Sequence, residues 1–105
     1  MRREIILAPG AVKAFRHLAA HVRAEVRDAL ERHLRFEPTK VSKSRIKRLR
    51  GLSRPQYRLR VHDIRVFYDV TQTTVEVLAI VPKVEAQAWL EQEGTPDAGR
   101  GPGTG

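Results

Sequence analysis

The sequence predicts a single domain of the α+β class, with its elements in the order β-α-α-β-β-β and a short C-terminal helix. Three observations predict it. Apolar and basic residues alternate over residues 57–70, which is the period of a strand. Apolar residues recur at helical spacing over residues 12–34, and residues 75–81 are mostly apolar at both odd and even positions, as in a strand buried on both faces.

The N-terminal third predicts one strand and a helical region. Residues 3–7 (REIIL) form an apolar strand candidate that ends before Pro9, which is tolerated in the first turn of a helix. Two apolar stripes of different phase follow, over residues 12–19 and 22–34, and Pro38 marks the end of the second. No glycine separates the stripes, so one bent helix and two helices are both compatible, and a helical hairpin is favoured.

Two histidines in this region have metal-ligand spacing but no further ligand. His17 and His21 stand at i and i+4, without a glutamate in H-E-x-x-H register or a placeable third ligand. No metal site and no cofactor are therefore predicted.

The central stretch, residues 57–69 (YRLRVHDIRVFYD), predicts a tight antiparallel hairpin. Tyr57 and Tyr68 share the apolar parity of their strands and are expected in the core. Arg58 and Arg60 share the opposite parity of the first strand, and Arg65 follows in the second. Guanidinium groups stay protonated and bind phosphate oxygens through two nitrogens, so this arrangement suits a phosphate-bearing ligand.

The remaining C-terminal residues predict one buried strand and a helix. Residues 75–81 indicate a central strand that ends at Pro82, so Lys83 emerges at a strand end. Residues 85–92 form a short helix candidate carrying Trp89. We expect the folded domain to span residues 1–92, followed by a disordered Gly/Pro-rich tail over residues 93–105.

The positive charge is concentrated in one segment. The chain has a formal net charge of +8, whereas residues 40–65 alone contain ten Lys or Arg and one acid, a local charge of +9. A concentrated basic patch is typical of proteins that bind a polyanion or an acidic partner. The absence of cysteine excludes disulfides, and no apolar run predicts a signal peptide or membrane span, so a cytoplasmic protein is expected.

Four strings carry a resemblance to a known family. LRGL, YRLRV, RVFYDV and VEVLAIVPK, in this order and spacing, resemble toxins of the RelE/ParE superfamily of type II toxin-antitoxin systems over about residues 3–90. The resemblance implies an N-terminal strand and helical hairpin packed on a twisted antiparallel sheet of about four strands. It also implies a basic concave sheet face as the working surface, and an antitoxin partner that covers it.

The RelE branch of this superfamily cleaves messenger RNA in the ribosome, with the ribose 2'-OH as nucleophile and no metal. The resemblance implies that Arg58, Arg60, Arg65 and Lys83 stabilise the charge of the phosphorane. Arginine replaces the lysines of RelE-type nucleases at the first two positions and cannot act as a base. Proton transfer is therefore assigned to His62, with Lys83 as second choice. The remaining candidate RNA-binding residues are Lys43, Arg45, Lys47, Arg48, Arg50, Arg54 and Trp89.

Two other functions remain open. The ParE branch shares the scaffold but inhibits DNA gyrase and needs no proton-transfer group. Where many RelE-type nucleases carry a C-terminal tyrosine, this chain has Trp89 and Leu90, which favours the ParE alternative. A basic RNA- or ribosome-binding module without catalytic activity is the third hypothesis.

Overall fold

The computed structural model describes residues 1–97 and contains seven strands and three α-helices within that range. The strands are β1 Glu4–Leu7, β2 Ile46–Arg48, β3 Leu52–Arg54, β4 Tyr57–Val61, β5 Ile64–Val70, β6 Thr74–Pro82 and β7 Thr95–Pro96. The helices are α1 Pro9–His17, α2 Ala20–Ala29, which continues into a π-helical turn Leu30–Leu34, and α3 Ala86–Glu93, which follows a 3-10 turn Lys83–Glu85.

The main sheet has five strands in the order β1-β6-β5-β4-β2. β1 pairs with β6 in parallel, and the other pairs are antiparallel. The predicted α+β class and the largely antiparallel sheet are confirmed, but the sequence predicted about four strands and did not predict β2. That edge strand buries only Ile46, so its three residues show no alternation long enough to recognise.

The predicted hairpin is confirmed by the register of β4 and β5. Tyr57 pairs with Tyr68, and Arg60 pairs with Arg65. The two-residue turn is formed by His62 and Asp63, with His62 in the left-handed region at φ 53°. A tight two-residue turn favours positive φ, because its backbone twist then matches the twist of the strands.

Two separate helices lie on one side of the sheet. Pro9 is the first residue of α1, as predicted. Leu18 and Ala19 are extended, at ψ 147° and 148°, and they separate α1 from α2. His17 and His21 consequently belong to different helices and do not share a helical face.

The core lies between these helices and one face of the sheet. Tyr68 is fully buried, stacks on Tyr57 and donates a 2.6 Å hydrogen bond from its hydroxyl to the carbonyl of Pro38. Burial, followed by the proximity of Tyr57, raises the pKa of Tyr68. The main buried apolar side chains here are Val26, Leu30, Leu34, Leu59, Val66, Val75, Val77 and Ile80.

The C-terminal segment extends the ordered chain beyond the predicted domain end. β7 pairs with β3 in a separate two-stranded sheet, so residues 95–96 of the predicted disordered tail are held by backbone pairing. The last eight residues of that predicted tail, 98–105, lie outside the described residues. No helix among residues 1–97 is long and apolar enough to cross a membrane.

Candidate functional site

Four basic side chains project from the sheet face opposite the helices. Lys47 on β2 is the cross-strand partner of Arg58 on β4, and Arg60 on β4 is the partner of Arg65 on β5. Leu59 lies between the two β4 arginines and is buried in the core. Because side chains alternate along a strand, these four basic residues share the other face, which we call the cationic face.

Arg58 is the half-buried centre of the cationic face. Its Nε atom is buried and has no hydrogen-bond partner among residues 1–97. Burial lowers the pKa of Arg58, and the positive charges of Arg65 and Arg60 lower it further. A buried, unpartnered donor among like charges is costly to the folded protein. An anion bound to the accessible part of this guanidinium would offset the repulsion among the three arginines.

The cationic face is not neutralised by acidic side chains. Within the described part of the chain, no carboxylate lies within 4.0 Å of the charged nitrogens of its four basic residues. Their charges are therefore available to an external anion.

Arg65 is the most buried of the four, with 8% of its surface exposed. Its Nη1 donates to the carbonyls of His62 at 2.8 Å and Ile64 at 3.1 Å. Arg65 thus contributes charge to the face and also binds the backbone of the hairpin turn.

The imidazole of His62 lies beside α2. Its Nε2 is 3.5 Å from Oε2 of Glu25, and its side chain is 75% exposed. It lines a cavity of about 460 Å³ with Glu25, Asp28, His33 and Arg60. Because α2 lies on the other side of the sheet from the cationic face, the imidazole of the predicted proton-transfer residue faces the helix side, with a carboxylate as its charged neighbour.

Lys83 lies next to the same hairpin turn. Its backbone N–H donates to the carbonyl of Asp63 at 2.7 Å, and its side chain is exposed. Val81, two residues earlier, is the cross-strand partner of Arg65. Lys83 and His62 thus both lie at the hairpin turn, whereas the imidazole of His62 faces α2.

Trp89 on α3 covers part of the same face. Its ring stacks on Phe67 with centroids 5.1 Å apart and planes inclined by 5°. Phe67 is the cross-strand partner of Arg58 and is fully buried. Phe67 lies two residues after Arg65 in β5 and therefore points to the same face, but no periodicity in the sequence indicates its contact with Trp89.

The structure separates the other predicted RNA-binding residues into different places. Lys43 and Arg45 are exposed in the connection before β2, and Arg50 is exposed in the turn after it. Arg54 is paired with Asp69 at 3.0 Å and Glu76 at 3.3 Å, so its charge is compensated.

Arg48 points to the other side of the sheet. Its cross-strand partner is Tyr57, and its guanidinium carbon lies 5.2 Å from the centroid of that ring. Arg48 therefore does not belong to the cationic face. No group of three or more His, Cys, Asp or Glu that could hold a metal is found in residues 1–97.

Comparison with known proteins identifies similar sequences and folds. The family model described as the ParE toxin of the type II toxin-antitoxin system parDE matches residues 5–86. A chain of the archaeal RelE-RelB complex from Pyrococcus horikoshii is 28% identical, with a TM-score of 0.59, and the match covers 79% of this chain and 97% of that one. No match is found among curated protein sequences.

Two further solved structures show the same fold at lower identity. The toxin-antitoxin complex RelBE2 from Mycobacterium tuberculosis contains a chain with 22% identity and a TM-score of 0.64, covering 78% of this chain and 99% of that one. A mutant of Escherichia coli toxin RelE in the free state has 21% identity and a TM-score of 0.54, covering 87% and 93%.

Proposed function

Since the chain belongs to the ParE toxin family of type II toxin-antitoxin systems, within the RelE/ParE superfamily, we propose that this toxin cleaves messenger RNA on the ribosome. The observation that carries the proposal is the environment of Arg58. A partly buried guanidinium with an unpartnered Nε, next to two further arginines and away from carboxylates, is suited to a phosphate that gains negative charge.

The proposed reaction uses the ribose 2'-OH of the substrate as the nucleophile. The 2' oxygen forms a bond to phosphorus and loses its proton, while the bond from phosphorus to the 5' oxygen breaks and that oxygen gains a proton. The products are a 2',3'-cyclic phosphate and a 5'-OH end. Arg58 and Arg60 would stabilise the additional negative charge of the phosphorane.

The proton transfers require groups other than arginine. Lys47 is the cross-strand partner of Arg58 and is the one member of the cationic face that can release a proton. Lys83 lies at the hairpin turn next to Arg65, and His62 would have to turn its exposed imidazole from Glu25 toward the face. In the proposal these three residues supply proton exchange, and the ribosome orients the RNA strand so that the reacting atoms are in line.

The same proposal includes a protein partner. Chains similar to this one occur in complexes described as toxin-antitoxin and RelE-RelB complexes. We propose that a cognate antitoxin with an acidic or amphipathic segment covers the cationic face in the cytoplasm, because opposite charge would neutralise arginines that have no carboxylate partner.

Mapping of transcript ends after inducible expression tests the nuclease proposal. Wild-type protein should produce new 5' ends within translated codons and arrest growth, whereas Arg58→Ala should lose both effects. Lys13→Gln on the exposed face of α1 removes a charge far from the cationic face and should act like wild type. Codon-associated cleavage by Arg58→Ala would remove the role proposed for Arg58.

Inhibition of DNA gyrase is the second candidate. The family match, together with three arginines among the four cationic residues, favours a binding function that needs no proton transfer. A supercoiling assay beside a translation assay separates the two. Loss of supercoiling activity with intact transcripts would indicate gyrase inhibition and contradict the nuclease proposal.

A further inference from the structure

A second group of arginines lies on the sheet side opposite the cationic face. Arg48 lies on the same side of the sheet as its cross-strand partner Tyr57. Arg3 precedes β1 and, two residues before Ile5, is on the side that packs against the core. Arg3 and Arg48 line one groove of about 450 Å³. The other residues that line it are Thr39, Gln56, Tyr57, Val70, Thr71 and Gln72.

Both guanidinium groups are held in place by the protein backbone. The Nε of Arg3 donates to the carbonyl of Thr71 at 2.9 Å. The Nη1 of Arg48 donates to the carbonyl of Gln56 at 2.7 Å, and its guanidinium lies over the ring of Tyr57. Carbonyl acceptors orient a guanidinium without cancelling its charge, so each arginine keeps N–H groups for a ligand.

The groove has no acidic compensation. Within residues 1–97, neither Arg3 nor Arg48 has a carboxylate within 4.0 Å. Beside the Tyr57 ring, the rest of the lining offers the hydroxyl of Thr39 and the amides of Gln56 and Gln72, and Val70 is its one aliphatic side chain. The Thr71 hydroxyl is bonded to Thr74. A protein partner usually contacts an apolar centre, whereas a phosphate group needs guanidinium and hydroxyl donors.

We infer that this groove binds a backbone phosphate of structured RNA, at a site separate from the cationic face. The inference rests on the proposed function, because it assumes an RNA-bound protein. Tyr57 and Arg58 are adjacent in β4 and point to opposite sides of the sheet, so the two sites can hold two RNA segments at once. The cationic face would hold the strand to be cleaved, and the groove would hold a folded RNA that anchors the protein.

Binding of the isolated protein to a fluorescent RNA hairpin tests the groove. Affinity is measured by anisotropy over a series of salt concentrations for the wild type and for the Arg3→Gln/Arg48→Gln double variant. The double variant should bind at least about tenfold more weakly, and the slope of log K against log salt should fall by about 2, one for each lost phosphate contact.

A matched variant controls for the loss of net charge. Lys13→Gln/Arg16→Gln removes two exposed charges from α1, and we expect it to keep the wild-type salt slope. Urea unfolding of both double variants verifies that they are folded. Equal slopes for the two double variants, or no hairpin binding by the wild type, would overturn the inference.

Two further measurements separate this inference from its alternatives. Polyglutamate serves as an acidic competitor for the groove. If it displaces the labelled hairpin at the same concentration as unlabelled hairpin RNA does, the groove binds an acidic protein and the RNA assignment is overturned. Cleavage on ribosomes is scored separately with Arg58→Ala. If wild-type cleavage occurs while the groove variant binds hairpin RNA normally, the groove inference fails and the nuclease proposal stands.

Discussion

Arg60 and Arg65 are cross-strand partners at the end of the β4–β5 hairpin, yet Arg60 is exposed and Arg65 is 8% exposed. Like charges directly opposite each other in a sheet are destabilising. Here the Arg65 Nη1 donates to the carbonyls of His62 and Ile64, which compensates part of that cost. One arginine of the pair stabilises the turn, and the other is free for a ligand.

Substitution of Arg65 should therefore reduce the stability of the protein as well as the proposed RNA cleavage. Arg65→Ala removes two hydrogen bonds from a buried charged group and should lower the free energy of unfolding by about 2 kcal/mol. Arg60→Ala, at the exposed partner, should change it by less than about 0.5 kcal/mol. Urea denaturation of both variants measures the difference. Equal stability of the two variants would contradict the structural role of Arg65.

Arg58 should show the opposite balance between stability and function. Arg58→Met removes a half-buried charge with an unpartnered Nε and relieves repulsion from Arg60 and Arg65. We expect the free energy of unfolding to stay the same or rise by up to about 1 kcal/mol, while the proposed RNA cleavage is lost. Sulfate should raise the Tm of the wild type more than that of Arg58→Met, compared with chloride at equal ionic strength. Equal Tm shifts would show that sulfate does not bind at Arg58.

The contact between Trp89 and Phe67 should hold α3 on the sheet. Trp89→Ala should lower the free energy of unfolding by about 2 kcal/mol, from lost burial and ring stacking, and Trp89→Phe should lose less than about 1 kcal/mol. Trp89 is the single tryptophan of the chain, so its fluorescence reports this contact. Quenching by single-stranded RNA would support the predicted RNA contact of Trp89, and unchanged emission at saturating RNA would oppose it.

The pH dependence of stability should contain a contribution from His33. Partial burial, followed by the charges of Arg45 and Arg32, lowers the pKa of His33 from its usual value of 6.5. Between pH 6.5 and the lowered pKa, His33 is protonated in the unfolded chain but still neutral in the folded protein. Stability therefore falls as the pH drops through this range. Above pH 6.5 both states are neutral and this contribution is constant.

Urea midpoints measured across that pH range for His33→Gln should fall less steeply than for the wild type. The exposed His17 provides the matched control, because His17→Gln should leave the steep dependence in place. Identical pH profiles for His33→Gln and the wild type would show that His33 does not cause the loss of stability.

The hairpin and the order of elements could be predicted because their signals are local. The period-two alternation in residues 57–70 is visible from adjacent residues alone, and it placed Arg58 and Arg60 on one face of the predicted strand. β2 was not predicted, because a three-residue edge strand has too few residues to show a period. The side to which Arg48 points depends on its pairing with Tyr57, and pairing across β2 and β4 has no local signal.

By itself, the sequence determined the α+β class, the concentration of positive charge in residues 40–65 and the parity of the hairpin arginines. Only the tertiary structure decided that Arg58 has an unpartnered Nε, that Arg65 binds the turn, that His62 lies beside Glu25 and that Arg54 is neutralised. The physical reason is distance along the chain. Alternation within a strand is set by adjacent residues, whereas burial, ion pairing and hydrogen bonding depend on segments that folding brings together.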